Sequence, residues 1–240
     1  MSAGAWAAYR SRIAGRTSPT RSRKSPEIKP FCGHRSTYSR QAHCIKDRVL
    51  LDPCCGTAGF LLAAYEHMRT QSKDVEKQRF LKNNALFGAD NTSLVVTLAS
   101  MNLYLHDIGV NKSPIAYQDS LVDTSDALYQ VVMTNPPFGT RPQGSVEVST
   151  NRPEFIKTSD NQVNFLQHIM SIVKTGGRVG VVMPDSVLTD TGATARVREK
   201  LMKGYNLHTI LRLPTGIFYA QGVKTNVLFF DKAVYVNKDD

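Results

Sequence analysis

From residue 47 onward, short apolar runs alternate with segments of helical period, and this alternation predicts an architecture before any motif is considered. Arg48–Leu51, Ala85–Ala89, Ile115–Tyr117, Tyr129–Met133 and Arg178–Pro184 each read as a strand, most of them bounded by turn residues. After the first of these, Leu61, Leu62, Ala63, Ala64, Tyr65 and Met68 continue with helical spacing. Thr92 is placed to cap a second helix, with Leu94, Leu98, Met101 and Leu105 as its apolar stripe and His106 at its carboxyl end, offsetting the dipole. Residues 71–82 are charged and read as a connection. Val163, Leu166, Ile169, Met170 and Val173 mark a third helix closed by Gly176 and Gly177, and a basic helix covers 194–203. Leu207–Leu213 and Asn226–Phe230 are two closing strands around a turn at Pro214 and Gly216. Strand and helix alternate from 47 to 212, so the fold class is α/β, a mostly parallel sheet with helices on both faces.

Charge changes this picture only at the start of the chain. The formal net charge is +10, yet residues 1–46 hold ten Lys/Arg against one acid, Glu27, which leaves the remainder nearly neutral. The sequence therefore divides into a basic lead-in, 1–46, rich in Ser, Thr, Arg and Pro, and a domain over 47–240. A phosphate-contacting arm, an organelle transit segment and a merely solvated lead-in all suit that composition. The hydrophobic fraction is 41%, and no run approaches the roughly 18 apolar residues of a membrane span. Cys32, Cys44, Cys54 and Cys55 have no disulfide or metal spacing, which predicts a reducing, cytoplasmic setting, no metal site, and a packing role for Cys54 and Cys55.

The candidate chemistry gathers at predicted strand ends, the edge of an open α/β sheet where ligands bind. Asp52-Pro53-Cys54-Cys55-Gly56-Thr57-Ala58-Gly59-Phe60 joins the first strand to the first helix. Its glycines allow close backbone approach, and its opening carboxylate suits a cationic ligand better than a pyrophosphate. Asp90 ends the second strand, where a carboxylate holds ribose hydroxyls or serves as an acid at a helix amino end. Asp119 and Ser120 follow the third strand. After the fourth come Asn135, Pro136, Pro137 and Phe138. The Asn135 amide oxygen and Pro136 carbonyl are two acceptors for an exocyclic amino group, and Phe138 offers a ring to stack on. A proline-stiffened turn with a buried Phe is the competing reading. The long stretch 139–162, with Arg141, Arg152 and Lys157, has the length of a functional loop and suits contact with a phosphate backbone.

These motifs, with Ser159–Phe165 and Leu211–Phe218, give the chain a resemblance over residues 47–232, about three quarters of its length, to the modification (methyltransferase) subunit of type I restriction–modification systems. The resemblance implies a Rossmann-like, S-adenosylmethionine-dependent fold and methylation of adenine N6 in double-stranded DNA. It also implies partnership with a specificity subunit and a restriction subunit. Asp52, Gly56 and Thr57 would then line the methionine part of the cofactor, Asp90 would take its ribose and Asp119 its adenine, with Pro53, Cys55, Gly59, Phe60, Ser120 and Asn135 as further cofactor contacts. Asn135, Pro136 and Phe138 would hold the flipped target base, with Pro137 in the same catalytic motif. The chain departs from the family in Ala58, where glycine is usual, and in Asp90, where glutamate is usual. It also lacks recognisable flanking regions, and residues 1–46 look unrelated to the family. A catalytically impaired remnant is therefore an alternative, as is, less favoured, a methyltransferase of protein glutamine amides.

Overall fold

The computed structural model describes residues 49–123, 126–141, 147–149, 155–215 and 224–232. The basic lead-in, Arg48, Arg152 and the Gly216–Phe218 part of the last motif lie outside the described residues.

Among the described residues, seven strands form one sheet in the order β3-β2-β1-β4-β5-β7-β6. The strands β1 (Leu50–Asp52), β2 (Leu86–Asp90), β3 (Ile115–Tyr117), β4 (Tyr129–Thr134) and β5 (Val173–Pro184) pair in parallel. β7 (Thr225–Lys232) runs antiparallel between β5 and β6 (Tyr205–Arg212). The helices are α1 (Gly59–Arg69), α2 (Val75–Asn84), α3 (Ser93–Tyr104), α4 (Asn161–Ile172), the single turn α5 (Ser186–Thr189) and α6 (Ala193–Gly204). The α/β, parallel-rich prediction is borne out.

Both faces of the central strands are covered, because neighbouring residues point to opposite faces and both are buried in Leu50–Leu51, Val131–Val132 and Val181–Val182. On one face Leu51, Val132, Val179, Val181, Met183, Leu228 and Phe230 pack with Val163, Leu166, Ile169 and Met170 of α4 and with Val197 and Leu201 of α6. Helix α4 is buried continuously from Gln162 to Met170, so its polar side chains need partners. Asn164 Nδ2 donates to Thr158 O at 3.0 Å, and Gln167 exchanges bonds of 2.8 and 3.0 Å with the Ile156 backbone. Gly88 in β2 serves close packing on the sheet, since a Cβ there would lie 2.7 Å from Ile115 Cδ1 and 2.9 Å from Leu61 Cδ1. No helix among the described residues is long and apolar enough to cross a membrane.

Three local expectations are corrected. Part of the charged stretch 71–82 is helical, because Asp74 caps α2 by accepting from Lys77 N at 3.0 Å. The stripe Leu94, Leu98, Met101 and Leu105 faces outward, while α3 buries Ala99 and Leu103. That helix carries no charge and is apolar on both sides, so periodicity could not choose between its faces. Gly176 and Gly177 do not close α4, which passes directly into β5 at Val173. They lie within the strand, where a Cβ at position 177 would meet Lys174 O at 2.7 Å and Gln130 O at 3.0 Å.

Candidate active site

Because β1 to β4 are parallel, their carboxyl ends share one edge, and the order reverses between β1 and β4 at this edge. Asp52 ends β1, Asp90 ends β2, Asp119 follows β3, and Thr134 ends β4 immediately before Asn135. The structure therefore brings together the strand-end residues that the sequence singled out.

Asp52 is buried at 1% exposure, and burial pushes its carboxyl up to about 7 against the pull of its hydrogen bonds. Its Oδ1 accepts from Thr134 Oγ1 at 2.6 Å and from Cys54 N at 3.2 Å. Its Oδ2 has no hydrogen-bond partner among the described residues. A buried carboxylate oxygen in that condition is expensive unless a cation or donor reaches it. Thr134 also lies 2.9 Å from Cys54 Sγ. Burial raises both the Cys54 and the Cys55 thiol, so neither is a thiolate near neutral pH, in keeping with packing roles.

The loop after Asp52 is held from several sides. Cys55 N donates to Ala89 O at 2.8 Å, Gly56 N to Asp90 Oδ2 at 3.2 Å, Ser120 Oγ to Pro53 O at 2.7 Å, and Asn102 Nδ2 to Thr57 O at 2.9 Å. Asp90 also accepts from Thr92 N at 3.0 Å, the bond expected of an acid at a helix amino end. The loop turns through left-handed backbone at Gly56 (φ 54°) and Ala58 (φ 66°). Ala58 is wholly buried, so its methyl packs into the protein and does not obstruct the open side of the loop. A Cβ built at Gly56 or Gly59 would meet nothing within 4 Å, so open space lies in front of both. The loop thus combines a buried carboxylate oxygen without a hydrogen-bond partner among the described residues and open space before two glycines, a donor set suited to a cationic ligand.

On the neighbouring strand end, Asn135 and Phe138 are half-buried, Pro136 is buried and Pro137 exposed. Gly139 N donates to Gln162 Oε1 at 3.0 Å and Gly139 O accepts from Asn161 N at 2.8 Å, which anchors the segment to the start of α4. Asp119 is engaged within the chain. Its Oδ1 accepts from Leu121 N at 3.0 Å and its Oδ2 from Arg141 Nη2 at 2.8 Å. Thr134, Asn102 and the Arg141–Asp119 pair went unassigned in the sequence. A hydroxyl ending an apolar strand beside Asn135 signals Thr134, but no local pattern announces the other two.

The profile of the family described as N-6 DNA Methylase matches residues 37–240. The chain is 41% identical over 199 residues to the type I restriction enzyme EcoKI methylase subunit of Escherichia coli K12, covering 79% of this chain and 37% of that one. It is 34% identical over 187 residues to the EcoEI methylase subunit of Escherichia coli, covering 76% of this chain and 38% of that one. The crystal structure of the EcoKI M protein superposes with a TM-score of 0.70 over 78% of this chain and 40% of that chain. A putative class I S-adenosylmethionine-dependent methyltransferase from Listeria monocytogenes, 25% identical, superposes with a TM-score of 0.59 over 81% of this chain and 57% of that chain. The chain thus spans well under half the length of the methylase subunits it matches.

Proposed function

The chain belongs to the N-6 DNA methylase family, and from that premise we propose that it transfers a methyl group from S-adenosylmethionine to the N6 amino group of an adenine flipped out of double-stranded DNA. It does so in the cytoplasm as the modification subunit of a type I restriction–modification complex, beside a specificity subunit and a restriction subunit. The catalytic domain in this reading is 47–240.

The observation that carries the proposal is the direct link between the two motifs. Thr134, which donates to Asp52, is the residue before Asn135, so the cofactor carboxylate and the target-base acceptors sit on adjacent strand ends. The residues present fit the cofactor: the buried, unpartnered Oδ2 of Asp52 and the space before Gly56 and Gly59 suit its cationic methionine part. Pro53, Cys55, Thr57 and Phe60 belong to the same segment, and in this reading Asp90 would take the ribose and Asp119 and Ser120 the adenine. When bound, S-adenosylmethionine supplies an electrophilic methyl group on a sulfonium.

The chain's own residues supply position and electrostatics. Duplex DNA buries the adenine amino group, so the base must leave the stack, and Phe138 gives it a new face to stack on. The Asn135 amide oxygen and the Pro136 carbonyl accept the two amino hydrogens. That draws the nitrogen away from planarity, concentrates its lone pair, and stabilises the positive charge that grows as it attacks. Pro137 prevents the turn from relaxing back into the ladder. Nothing in the site favours the impaired alternative, since Asp52 is in place and the Ala58 methyl stays clear of the opening.

The test is methyl transfer from S-adenosylmethionine, labelled in its methyl group, to duplex DNA by the full chain with a specificity subunit. N6-methyladenine in the nucleoside digest is expected. Label in cytosine or in protein glutamine would reject the proposal, and so would failure of a folded chain to bind the cofactor.

A further inference from the structure

The turn that follows β3 touches both halves of the site. Ser120 supports the cofactor loop through its 2.7 Å bond to Pro53 O. One residue earlier, Asp119 receives the Arg141 guanidinium at 2.8 Å, with the two side chains only 23% and 18% exposed. The turn is internally braced: Asp119 N donates to Asp123 Oδ2 at 3.0 Å, and Asp119 O accepts from Val122 N at 2.9 Å and Asp123 N at 2.8 Å. Asp119 therefore presents an anion in a fixed place. A second strut arrives from the loop beyond Arg141, where Ser149 N donates to Leu121 O at 2.8 Å.

Arg141 stands three residues beyond Phe138. Its backbone N donates to Ser159 O at 3.3 Å, and Thr140 bridges to Asp160, so residues 139–141 are held to the approach to α4 on one side. The guanidinium fastens the same residues to the β3 turn on the other side. An exposed ion pair would contribute little to such fastening, but one withdrawn from solvent is weakly screened, and an arginine fork holds its geometry.

We propose that Arg141 is a positioning residue: its pairing with Asp119 couples the cofactor-side turn to the target-base segment, so that a bound cofactor steadies Asn135–Phe138. The proposal rests on the reading of the site given above. Coupling of this kind requires no displacement, because a ligand that quiets the turn lowers the ordering cost of whatever is fastened to it. It also removes Arg141 from the set of cations open to a DNA phosphate.

Hydrogen–deuterium exchange of the full chain, with and without saturating S-adenosylmethionine, tests this. In the parent protein, cofactor is expected to slow exchange in peptides covering 135–141 by on the order of tenfold. In Arg141→Ala that slowing is lost while calorimetry still shows cofactor binding within about threefold of the parent, and Arg141→Lys recovers part of it. Equal slowing in Arg141→Ala and the parent overturns the proposal. So does unchanged exchange accompanied by a loss of DNA affinity alone, which would make Arg141 a phosphate contact. Calorimetry without any cofactor binding to the parent would overturn the proposed function first, and this inference with it.

Discussion

Asp52→Asn isolates the burial of the carboxylate from its use. The folded chain holds the Asp52 proton to about pH 7, against 3.8 for the unconstrained group. Between those values the folded state keeps a proton that the unfolded state has released, so stability falls as pH rises. This contribution is fully present below about pH 4 and lost above about pH 7. A shift of about three units corresponds to roughly 4 kcal/mol, of which about 3 kcal/mol falls between pH 4.5 and 8. Asparagine is neutral throughout and keeps an oxygen for the Thr134 and Cys54 donors, so it escapes the penalty. The difference in unfolding free energy between Asp52→Asn and parent should therefore move in the variant's favour by about 3 kcal/mol from pH 4.5 to 8, or several degrees in Tm. Groups titrating alike in both proteins cancel. Urea or thermal unfolding without cofactor reads the difference, and repeating it with S-adenosylmethionine at about 100 times Kd should stabilise the parent by about 2.7 kcal/mol and leave the variant unchanged. A difference that stays constant with pH would refute the burial argument. Ligand stabilisation of the variant equal to that of the parent would refute the role of Asp52 in binding.

Asn135→Ala is expected to abolish methyl transfer while cofactor affinity, read by calorimetry, stays within about threefold; equal loss of both would remove its role as acceptor. Thr134→Val deletes a donor that holds the Asp52 carboxyl down, so the pH below which cofactor binding weakens should move upward in titrations from about pH 6 to 9. An unchanged pH profile would show that the 2.6 Å bond is electrostatically idle. Gly88→Ala should destabilise the chain by about 1–3 kcal/mol, because the added methyl meets Ile115, Leu61 and Cys55 Sγ together, and urea midpoints will read it.

The sheet and the edge that gathers the candidate site were legible because parallel strands buried on both faces read as short apolar runs, and because a polar residue ending such a run has only the strand's end to occupy. Asp52, Asp90 and Asn135 stand out for that reason. Helix α2 was hidden by its charge, with Leu81 as its one buried side chain, though Asp74 ahead of it was a readable cap. The exposed stripe of α3 shows where periodicity stops being informative: an uncharged helix does not declare which apolar face meets the sheet. Asp119 was found by position, but its partner Arg141 lies 22 residues away and is joined to it only by the folded chain. The same holds for Asn102, which reaches Thr57 O from 45 residues away.

The place of β7 has a consequence for how the domain is made. β5 pairs on one side with β4 and on the other with β7, the last strand described, and β6 pairs with β7. A ribosome delivers β1 through β6 before it delivers β7, so a growing chain holds its longest parallel strand with one side bare, and β6 waits without a neighbour. Two open ladders then compete for whatever strand arrives, another nascent chain included. Arrival of Thr225–Lys232 closes both at once, so among the described residues the sheet stays incomplete until its last strand in chain order has been made.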